Sequence, residues 1–303
     1  MLWFAHSRYK DAVDRFARNV SEEEVHRAIG HPTVLFLCGG GSQSRRAQLE
    51  KYLNENRENW FHFRAETVWN ALDSTEEQIN ALDLEKRLAA FSDAIVMLVE
   101  SAGSIAELGA FSLPEEIRRK LIPILDDKYR NEASFINTGP VKWIHDDEDC
   151  ASPIYADYST ILTSVGRIES QVRGRARSRR ISSLKRKELL VLVCFVTAAI
   201  GPAPKNLICK AAAKIHRTVE NNRDSEERVN EELRIALLLA DAIGLTESGT
   251  IEQTQLYLIP LAQQKQLFPQ RVENAISRER LRLLEIIRDR EQYRDTVQRL
   301  RAE

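Results

Sequence analysis

Apolar residues in the first half of the chain form short runs, and stretches with helical spacing lie between them. Short apolar runs that end in glycine or polar residues predict β-strands buried on both faces. Four such runs occupy residues 33–38, 60–64, 94–99 and 121–125, and a weaker fifth occupies residues 141–144. Strands that alternate with helices predict an open parallel α/β sheet with right-handed crossovers. Ligands of such sheets bind at the carboxyl ends of the strands.

The intervening segments have the spacing of helices. Residues 7–29 place apolar side chains every three or four positions, and residues 44–56, 75–91 and 104–111 are predicted as helices between the strands. Ser74 and Glu77 have the spacing of a capping box at the start of one of them.

The pattern changes near residue 151. Residues 157–172 are predicted to be helical and lead into a basic stretch, QVRGRARSRRISSLKRK. Helices are predicted at residues 188–200, 204–215, 225–242 and 273–300, and GLTESGTIEQTQLYLIP predicts two strands joined by a Ser-Gly turn, as in the wing of a winged helix. We therefore expect an N-terminal helix (1–30), an α/β domain (31–150), a helical and basic linker (151–187) and a mainly helical, winged-helix-like domain (188–303).

The composition is that of a globular protein of two domains: 303 residues, 43% hydrophobic and 29% charged. The net charge of −1 conceals local asymmetry, so it excludes neither nucleic acid nor acidic partners. Cys38, Cys150, Cys194 and Cys209 have no CxxC spacing, which favours buried thiols in a reducing compartment.

Neither export nor membrane insertion is expected from the sequence. At the N-terminus, charged residues begin after only a few apolar residues, which is too early for a signal peptide. The apolar run 189–204 is shorter than the ~20 residues of a membrane span. We expect a cytoplasmic protein without a membrane partner. The histidines show no metal-ligand spacing such as HExxH, so no metal site is predicted.

The most informative stretch is VESAGSIAELGAF, residues 99–111, because it places a single carboxylate, Glu107, in a run of small and apolar residues. One interpretation is structural: Ser104 caps the helix and Glu107 completes an S-x-x-E capping box. The other is functional. Glu100 lies on the same loop, and Gly39–Gly41 lie beside it if the first and third strands are neighbours. Backbone amides that bind phosphate or hydroxyl groups, together with a carboxylate, suit the cleavage of an N-glycosidic bond.

Residues 92–111, with TVLFLCGGGS earlier in the chain, resemble the nucleoside 2-deoxyribosyltransferase-like N-glycosidases. The resemblance implies that Glu107 is the nucleophile. It also implies that Glu85, eight positions before Asp93, and Glu100 serve the base pocket, and that Asp93 is a structural cap. The predicted substrate-binding residues lie on the turn, on the loop and on the helix before it: Gly39, Gly40, Gly41, Ser42, Arg45, Glu85, Glu100, Ser101 and Ser104.

Taken with the basic stretch and the winged-helix-like segment, the whole chain resembles retron-associated effectors. The resemblance implies an anti-phage toxin that hydrolyses NAD+ as its substrate, without a cofactor. It also implies that a reverse transcriptase with its branched RNA–DNA molecule (msDNA and msrRNA) holds the toxin in check. The amphipathic segments 7–29 and 273–300 could support a higher-order oligomer.

The basic stretch is either a solvated hinge or a surface for a phosphate backbone, and the second is favoured because no acid balances it. Its predicted nucleic-acid-binding residues are Arg173, Arg175, Arg177, Arg179, Arg180, Lys185, Arg186 and Lys187. Arg45 and Arg46 either clamp a diphosphate or lie on a helix surface, with Arg45 favoured as the clamp.

Two functional hypotheses remain open at this point. The first is an N-glycosidase with Glu107 as nucleophile or cation stabiliser. The second is a nucleic-acid-binding regulator whose first domain senses a nucleotide without turning it over. Turnover distinguishes them, because a sensor leaves its nucleotide intact.

Overall fold

A computed structural model describes residues 2–22, 32–41, 44–57, 60–71, 80–177, 181–220, 226–287 and 289–300. The chain divides into two compact units. Pro32–Leu184 form one, which we call the α/β unit, and Met1–His31 with Lys185–Glu303 form the other, the helical unit. This division differs from the predicted one, in which the N-terminal helix stood alone and residues 151–187 were a linker.

The α/β unit contains one sheet of parallel strands in the order β2-β1-β3-β4-β5. Its strands are β1 (Thr33–Cys38), β2 (Trp60–Phe63), β3 (Ala94–Leu98), β4 (Leu121–Asp126) and β5 (Ile154–Ala156). The predicted parallel α/β sheet and its first four strands are confirmed. Every residue of β3 is buried, as an apolar strand covered on both faces must be.

Helices connect these strands. They are α2 (Arg45–Asn56), α3 (Ala65–Ala71), α4 (Ala81–Phe91), α5 (Ala102–Ser112), α6 (Glu115–Arg118), α7 (Lys142–Asp146) and α8 (Val165–Arg177). Ser44 caps α2 by accepting a hydrogen bond from Ala47 N, and Asn80 caps α4 by accepting one from Leu82 N. Helix α4 therefore begins later than predicted, and the predicted capping box at 74 and 77 lies outside the described residues.

The predicted fifth strand is wrong. Residues 141–144 belong to a π-helical turn, Asn137–Val141, and to α7, where Val141 and Ile144 are both buried. Apolar residues three positions apart fit a helix as well as a short strand. The fifth strand is β5, and its flanking Tyr158 joins the core by donating from its hydroxyl to Ile124 O at 2.6 Å. Residues that the sequence assigned to a linker thus complete the sheet.

The helical unit contains α1 and the second half of the chain. Its elements are α1 (Ser7–Glu22), α9 (Ile181–Ile200), β6 (Ala203–Pro204), α10 (Lys205–Glu220), α11 (Glu226–Ala242), β7 (Glu247–Ile251), β8 (Thr254–Leu258), α12 (Leu261–Leu267), α13 (Gln270–Leu284) and α14 (Arg290–Leu300). Its antiparallel sheet has the order β6-β8-β7. Helix α1 joins this unit because it packs on α10 and stacks Phe16 on Phe195.

Two local predictions in the helical unit differ from the structure. The hairpin exists, but its turn is formed by Glu252 and Gln253, which have positive φ angles of 46° and 63°, and the Ser-Gly pair lies within β7. The predicted last helix is two helices, α13 and α14, with Ile287 buried between them in the chain. No helix among the described residues is long and apolar enough to cross a membrane.

Candidate active site

The carboxyl ends of β1 and β3 lie side by side. Cys38, the last residue of β1, pairs with Met97 of β3, so the glycine turn after β1 adjoins the loop that leads from β3 into α5. This is the juxtaposition on which the functional interpretation of Glu107 depended. The candidate site is therefore built at the edge of the sheet where parallel α/β folds bind their ligands.

Glu100 fills the glycine turn itself. Its Oε1 accepts hydrogen bonds from Gly40 N at 2.9 Å and Arg46 N at 3.4 Å, and its Oε2 accepts one from Arg45 N at 3.1 Å. The Glu100 side chain is only 4% exposed. A carboxylate at a helix N-terminus is stabilised by these free N–H groups and by the helix dipole.

The glycines are needed because this carboxylate comes so close. A Cβ on Gly39 or on Gly40 would lie 3.1 Å from Glu100 Oε1, and Gly39 has a φ of +150°. The backbone N–H of Gly40, which was predicted to bind substrate, is thus occupied by the protein's own carboxylate, as is the backbone N–H of Arg45. Gly41 is exposed with open space around it, and Ser42 lies outside the described residues.

Ser101, not the predicted Ser104, caps α5. Ser101 Oγ accepts from Ser104 N at 3.2 Å, and Ser104 Oγ accepts in return from Ser101 N at 3.0 Å. This reciprocal pair is a capping box. The predicted capping box, with Glu107 as its glutamate, is therefore wrong. Both serines were predicted to bind substrate, but here their hydroxyls hold the start of α5.

Glu107 therefore takes no part in capping α5. It lies further along α5, half-buried, and its Oε2 is buried without a hydrogen-bond partner among the described residues. Burial raises the pKa of Glu107 above its usual value; the charge of Glu66 raises it further and that of Arg46 lowers it. An unpartnered carboxylate oxygen is costly to bury, so such atoms are often functional.

Arg46 and Glu66 belong to the same cluster, although the sequence did not single out Glu66. Arg46 is the second residue of α2 and Glu66 the second of α3, and their side chains pair at 3.2 Å from Nη1 to Oε1. The Arg46 side chain is 4% exposed, and its Nε is buried without a partner among the described residues. Of the two arginines weighed as alternatives, Arg46 is the one in the cluster.

Arg45 points to a different set of partners. Its Nε donates to Tyr158 O at 3.2 Å, and its guanidinium lies 5.3 Å from the centre of the Tyr158 ring. It also pairs with Glu100 at 3.7 Å. Arg45, the predicted diphosphate clamp, instead links the start of α2 to the segment after β5 in this structure.

Glu85, on α4, completes the acidic cluster. Burial raises its pKa to about 7, with further contributions from the charges of Glu107 and Glu66. The pKa of the Cys38 thiol is also raised. Burial is the largest cause, and the charges of Glu107 and Glu85 are the next largest. Three carboxylates and one buried arginine thus act on one another at the strand ends.

Asp93 stands apart from this cluster. Its Oδ2 accepts from Val34 N at 2.8 Å, at the opposite end of the strands, which confirms its predicted structural role. Within the described part of the chain, no three histidine, cysteine or acidic residues are arranged to hold a metal ion.

The predicted nucleic-acid-binding residues are partly engaged within the protein. Arg173 pairs with Glu169 at 3.5 Å, Arg186 pairs with Glu232 at 3.6 Å, and Lys187 is only 2% exposed. The side chains of Arg175, Arg177 and Lys185, and all of Arg179 and Arg180, lie outside the described residues.

Residues 42–288 match the family described as "STM3845 retron effector protein". The chain belongs to this family. The predicted relation to retron-associated effectors is thereby confirmed at the level of the family, whereas the match says nothing of the reaction.

Two relatives of this retron effector come from Escherichia coli. One, "Retron Ec73 putative ribosyltransferase/DNA-binding protein", is 41% identical over 140 residues, which cover 43% of this chain and 43% of that protein. The other, "Retron Ec86 putative ribosyltransferase/DNA-binding protein", is 38% identical over 140 residues, 41% of this chain and 45% of that protein. The matches thus span less than half the length of these relatives.

Proposed function

We propose that the α/β unit is an N-glycosidase that hydrolyses NAD+ to nicotinamide and ADP-ribose, with Glu107 as its nucleophile. The single observation that carries the proposal is the state of Glu107: its Oε2 is buried, unpartnered among the described residues and released from the helix cap. The ribosyltransferase named in the relatives supports the reaction class, because transfer of a ribosyl group also breaks a bond at the anomeric carbon.

The proposed reaction has two steps. The Glu107 carboxylate forms a bond to C1′ of the nicotinamide ribose while the C1′–N bond breaks and its electron pair neutralises the pyridinium ring. Water then attacks C1′ of the glycosyl ester, releases ADP-ribose and restores the carboxylate. One proton is lost from that water, so NAD+ and water give nicotinamide, ADP-ribose and a proton.

Glu85 is suited to receive this proton. With a pKa raised to about 7, it is present in both forms at neutral pH, which is the condition for efficient proton transfer. Departure of nicotinamide needs no acid, because the leaving group is already positively charged. Arg46 supports ionised Glu107, since its positive charge lowers the pKa of that carboxyl.

We also propose that the helical unit is a winged helix that engages nucleic acid. The order helix, strand, helix, helix and hairpin, with β6 beside β8, supports it. In this proposal the protein acts in anti-phage defence, and a reverse transcriptase with its msDNA restrains it. The DNA-binding function in the names of the two relatives supports the proposed binding of nucleic acid by the helical unit.

The test is nicotinamide release by the purified full chain and by Glu107→Gln, with Glu116→Gln as the matched control because Glu116 is an exposed glutamate on the neighbouring helix α6. We expect Glu107→Gln to lose roughly 10²–10³ in rate, corresponding to about 3–4 kcal/mol of transition-state stabilisation. Equal rates would remove Glu107 from the chemistry. Stoichiometric binding of intact NAD+ without release would favour the nucleotide-sensor hypothesis instead.

A further inference from the structure

The two elements that the proposed winged helix would present to DNA carry little positive charge. In helix-turn-helix proteins the second helix of the pair lies in the major groove, and in this chain that helix is α11. Residues 235–240 of α11 are all buried. Its described charged residues with exposed surface are three acids and two bases, Glu227, Arg228, Glu231, Arg234 and Asp241. The hairpin of β7 and β8 carries Glu247 and Glu252 and no lysine or arginine.

Acidic residues also line the space beside this hairpin. A cavity of about 470 Å³ lies between the hairpin and α14. Its charged lining residues among those that the structure describes are four acids and one base, Glu252, Asp289, Glu291, Asp295 and Arg299. A phosphate backbone would be repelled by such a surface, because its charge has the same sign.

A basic surface exists elsewhere in the helical unit, where α1 packs on α10. An ion pair joins the two helices, with 3.2 Å between Lys214 Nζ and Asp14 Oδ1, and each side chain is 37% exposed. Four exposed cations each lie one helical turn from a member of this pair: Lys10, Arg18, Lys210 and Arg217. We call these four residues, with the ion pair between them, the α1–α10 face.

Acids of the two helices do not balance the charge of this face. The described side chains of α10, at residues 205–217, include no aspartate or glutamate. Those of α1, at residues 7–21, include Asp11 besides the paired Asp14, but they also include Arg8 and Arg15 at exposed positions. The α1–α10 face is therefore suited to an anionic partner.

The absence of exposed aromatic side chains on both helices restricts the kind of partner. Tyr9 and Phe16 of α1 are 2% and 1% exposed, and α10 contains no phenylalanine, tyrosine or tryptophan. Proteins that bind single strands use aromatic side chains on which the bases stack. Lysine and arginine by themselves contact phosphates and carry no sequence information. A basic face of this composition fits the backbone of a double helix.

We infer that the α1–α10 face binds the phosphate backbone of a DNA duplex, so that the helical unit contacts nucleic acid through α1 and α10 rather than through α11 and the hairpin. The inference rests on the proposed function, because it requires that the helical unit engages nucleic acid. It assigns the contact to residues outside the basic stretch that the sequence analysis selected. Binding through phosphates alone depends on the salt concentration and not on the base sequence.

The experiment measures binding of the full chain to a DNA duplex of about 20 base pairs, and to one of its strands, over a range of salt concentrations. The test variant combines Lys10→Gln with Lys210→Gln and so removes one cation from each helix. The matched control combines Lys265→Gln with Arg294→Gln, which removes the same charge from exposed positions on α12 and α14.

Each phosphate neutralised on a duplex contributes about −0.9 to the slope of log K against the logarithm of the salt concentration. We expect the test variant to reduce the magnitude of this slope by about 2 and to bind the duplex at least about tenfold more weakly at about 0.1 M salt. The control variant should match the wild type. The wild type should bind the duplex more tightly than the single strand.

Asp14→Asn supplies a measurement that misfolding cannot imitate. It removes the negative charge at the centre of the α1–α10 face, so we expect it to bind the duplex about twofold or more tightly than the wild type does. Weaker or unchanged binding by Asp14→Asn would contradict the inference.

An unchanged slope in the test variant, while the wild type binds the duplex, would overturn this inference and leave the proposed binding of nucleic acid standing. An equal loss in the control variant, or tighter binding of the single strand than of the duplex, would overturn it in the same way. Failure of the wild type to bind either DNA would overturn both the inference and the proposed engagement of nucleic acid. Nicotinamide release is assayed separately, and its outcome bears only on the proposed hydrolysis.

Discussion

Glu100 offers a sharp test of the site's construction, because its predicted and observed roles require different outcomes. The sequence assigned this carboxylate to substrate, whereas the structure uses it to join the turn after β1 to the loop before α5. Its oxygens accept three backbone N–H hydrogen bonds, from Gly40, Arg45 and Arg46. We consider the substitution Glu100→Gln.

The magnitude follows from these contacts. Hydrogen bonds to a charged group contribute about 1.5–3 kcal/mol each, and the amide of glutamine keeps one neutral acceptor while turning an NH2 group toward N–H donors. With the side chain only 4% exposed, water cannot replace the lost acceptor. We expect Glu100→Gln to lower the free energy of unfolding of the α/β unit by about 2–4 kcal/mol, or ~5–15 °C in Tm.

The assay combines calorimetric unfolding with hydrogen exchange. The amides of Gly40 and Arg45 should exchange at least about tenfold faster in Glu100→Gln, because Glu100 is the acceptor that protects them. Glu116→Gln, at an exposed position, should leave both measurements unchanged. Unchanged unfolding and exchange, together with a raised KM for NAD+, would refute the structural role and restore the substrate-binding one.

Three smaller predictions test neighbouring features. Folding raises the pKa of Glu85 from 4.5 to about 7, so the folded state loses stability as pH rises through this interval. At pH 8 the free energy of unfolding of Glu85→Gln should exceed that of the wild type by about 1–2 kcal/mol, allowing for the partial exposure of Glu85, and the difference should close toward pH 5. A gap that widens at low pH would contradict this. Ser101→Ala should cost about 1 kcal/mol in thermal unfolding through loss of the α5 cap, and no change would argue against that cap. Arg186→Gln should destabilise the helical unit by about 1–3 kcal/mol, because it removes the ion pair with the mostly buried Glu232, and it should leave the salt dependence of the proposed nucleic-acid binding unchanged; a slope reduced by about 1 would instead place Arg186 on a phosphate.

Most strands could be predicted because burial on both faces leaves a short apolar run that ends in glycine or polar residues. The segments TVLFLC, AIVML and LIPIL are the clearest. The fifth strand could not be predicted, since Ile154–Ala156 is too short for a pattern, while the buried residues Val141 and Ile144 have spacing that fits a helix too.

The candidate site was predictable only in part. Glu107 stood out as the single carboxylate in a run of small and apolar residues, whereas Glu85 was indicated only by the resemblance to the N-glycosidase family. Arg46 and Glu66 have ordinary helical surroundings in sequence, and only the neighbouring positions of β1 and β2 bring them together. The sequence signal that could have identified them is their position, because Arg46 is the second residue of the helix after β1 and Glu66 is the second residue of the helix after β2.

The choice of cap could not be settled from sequence either. Ser101 and Ser104 are both good N-cap residues, and the spacing to Glu107 favoured the later one. In the structure Ser101 is the cap, and Ser104 Oγ also accepts a hydrogen bond from the backbone N–H of Glu100 at 3.0 Å. Because Ser101 and Ser104 form the capping box with each other, Glu107 takes no part in it.

The most direct measurement is a crystal structure of the Glu107→Gln variant with NAD+ bound. We predict that C1′ of the nicotinamide ribose lies about 3–3.5 Å from the side chain of residue 107, in position for attack. A ribose held elsewhere, with the side chain of residue 107 bonded to its own backbone, would contradict the proposed reaction.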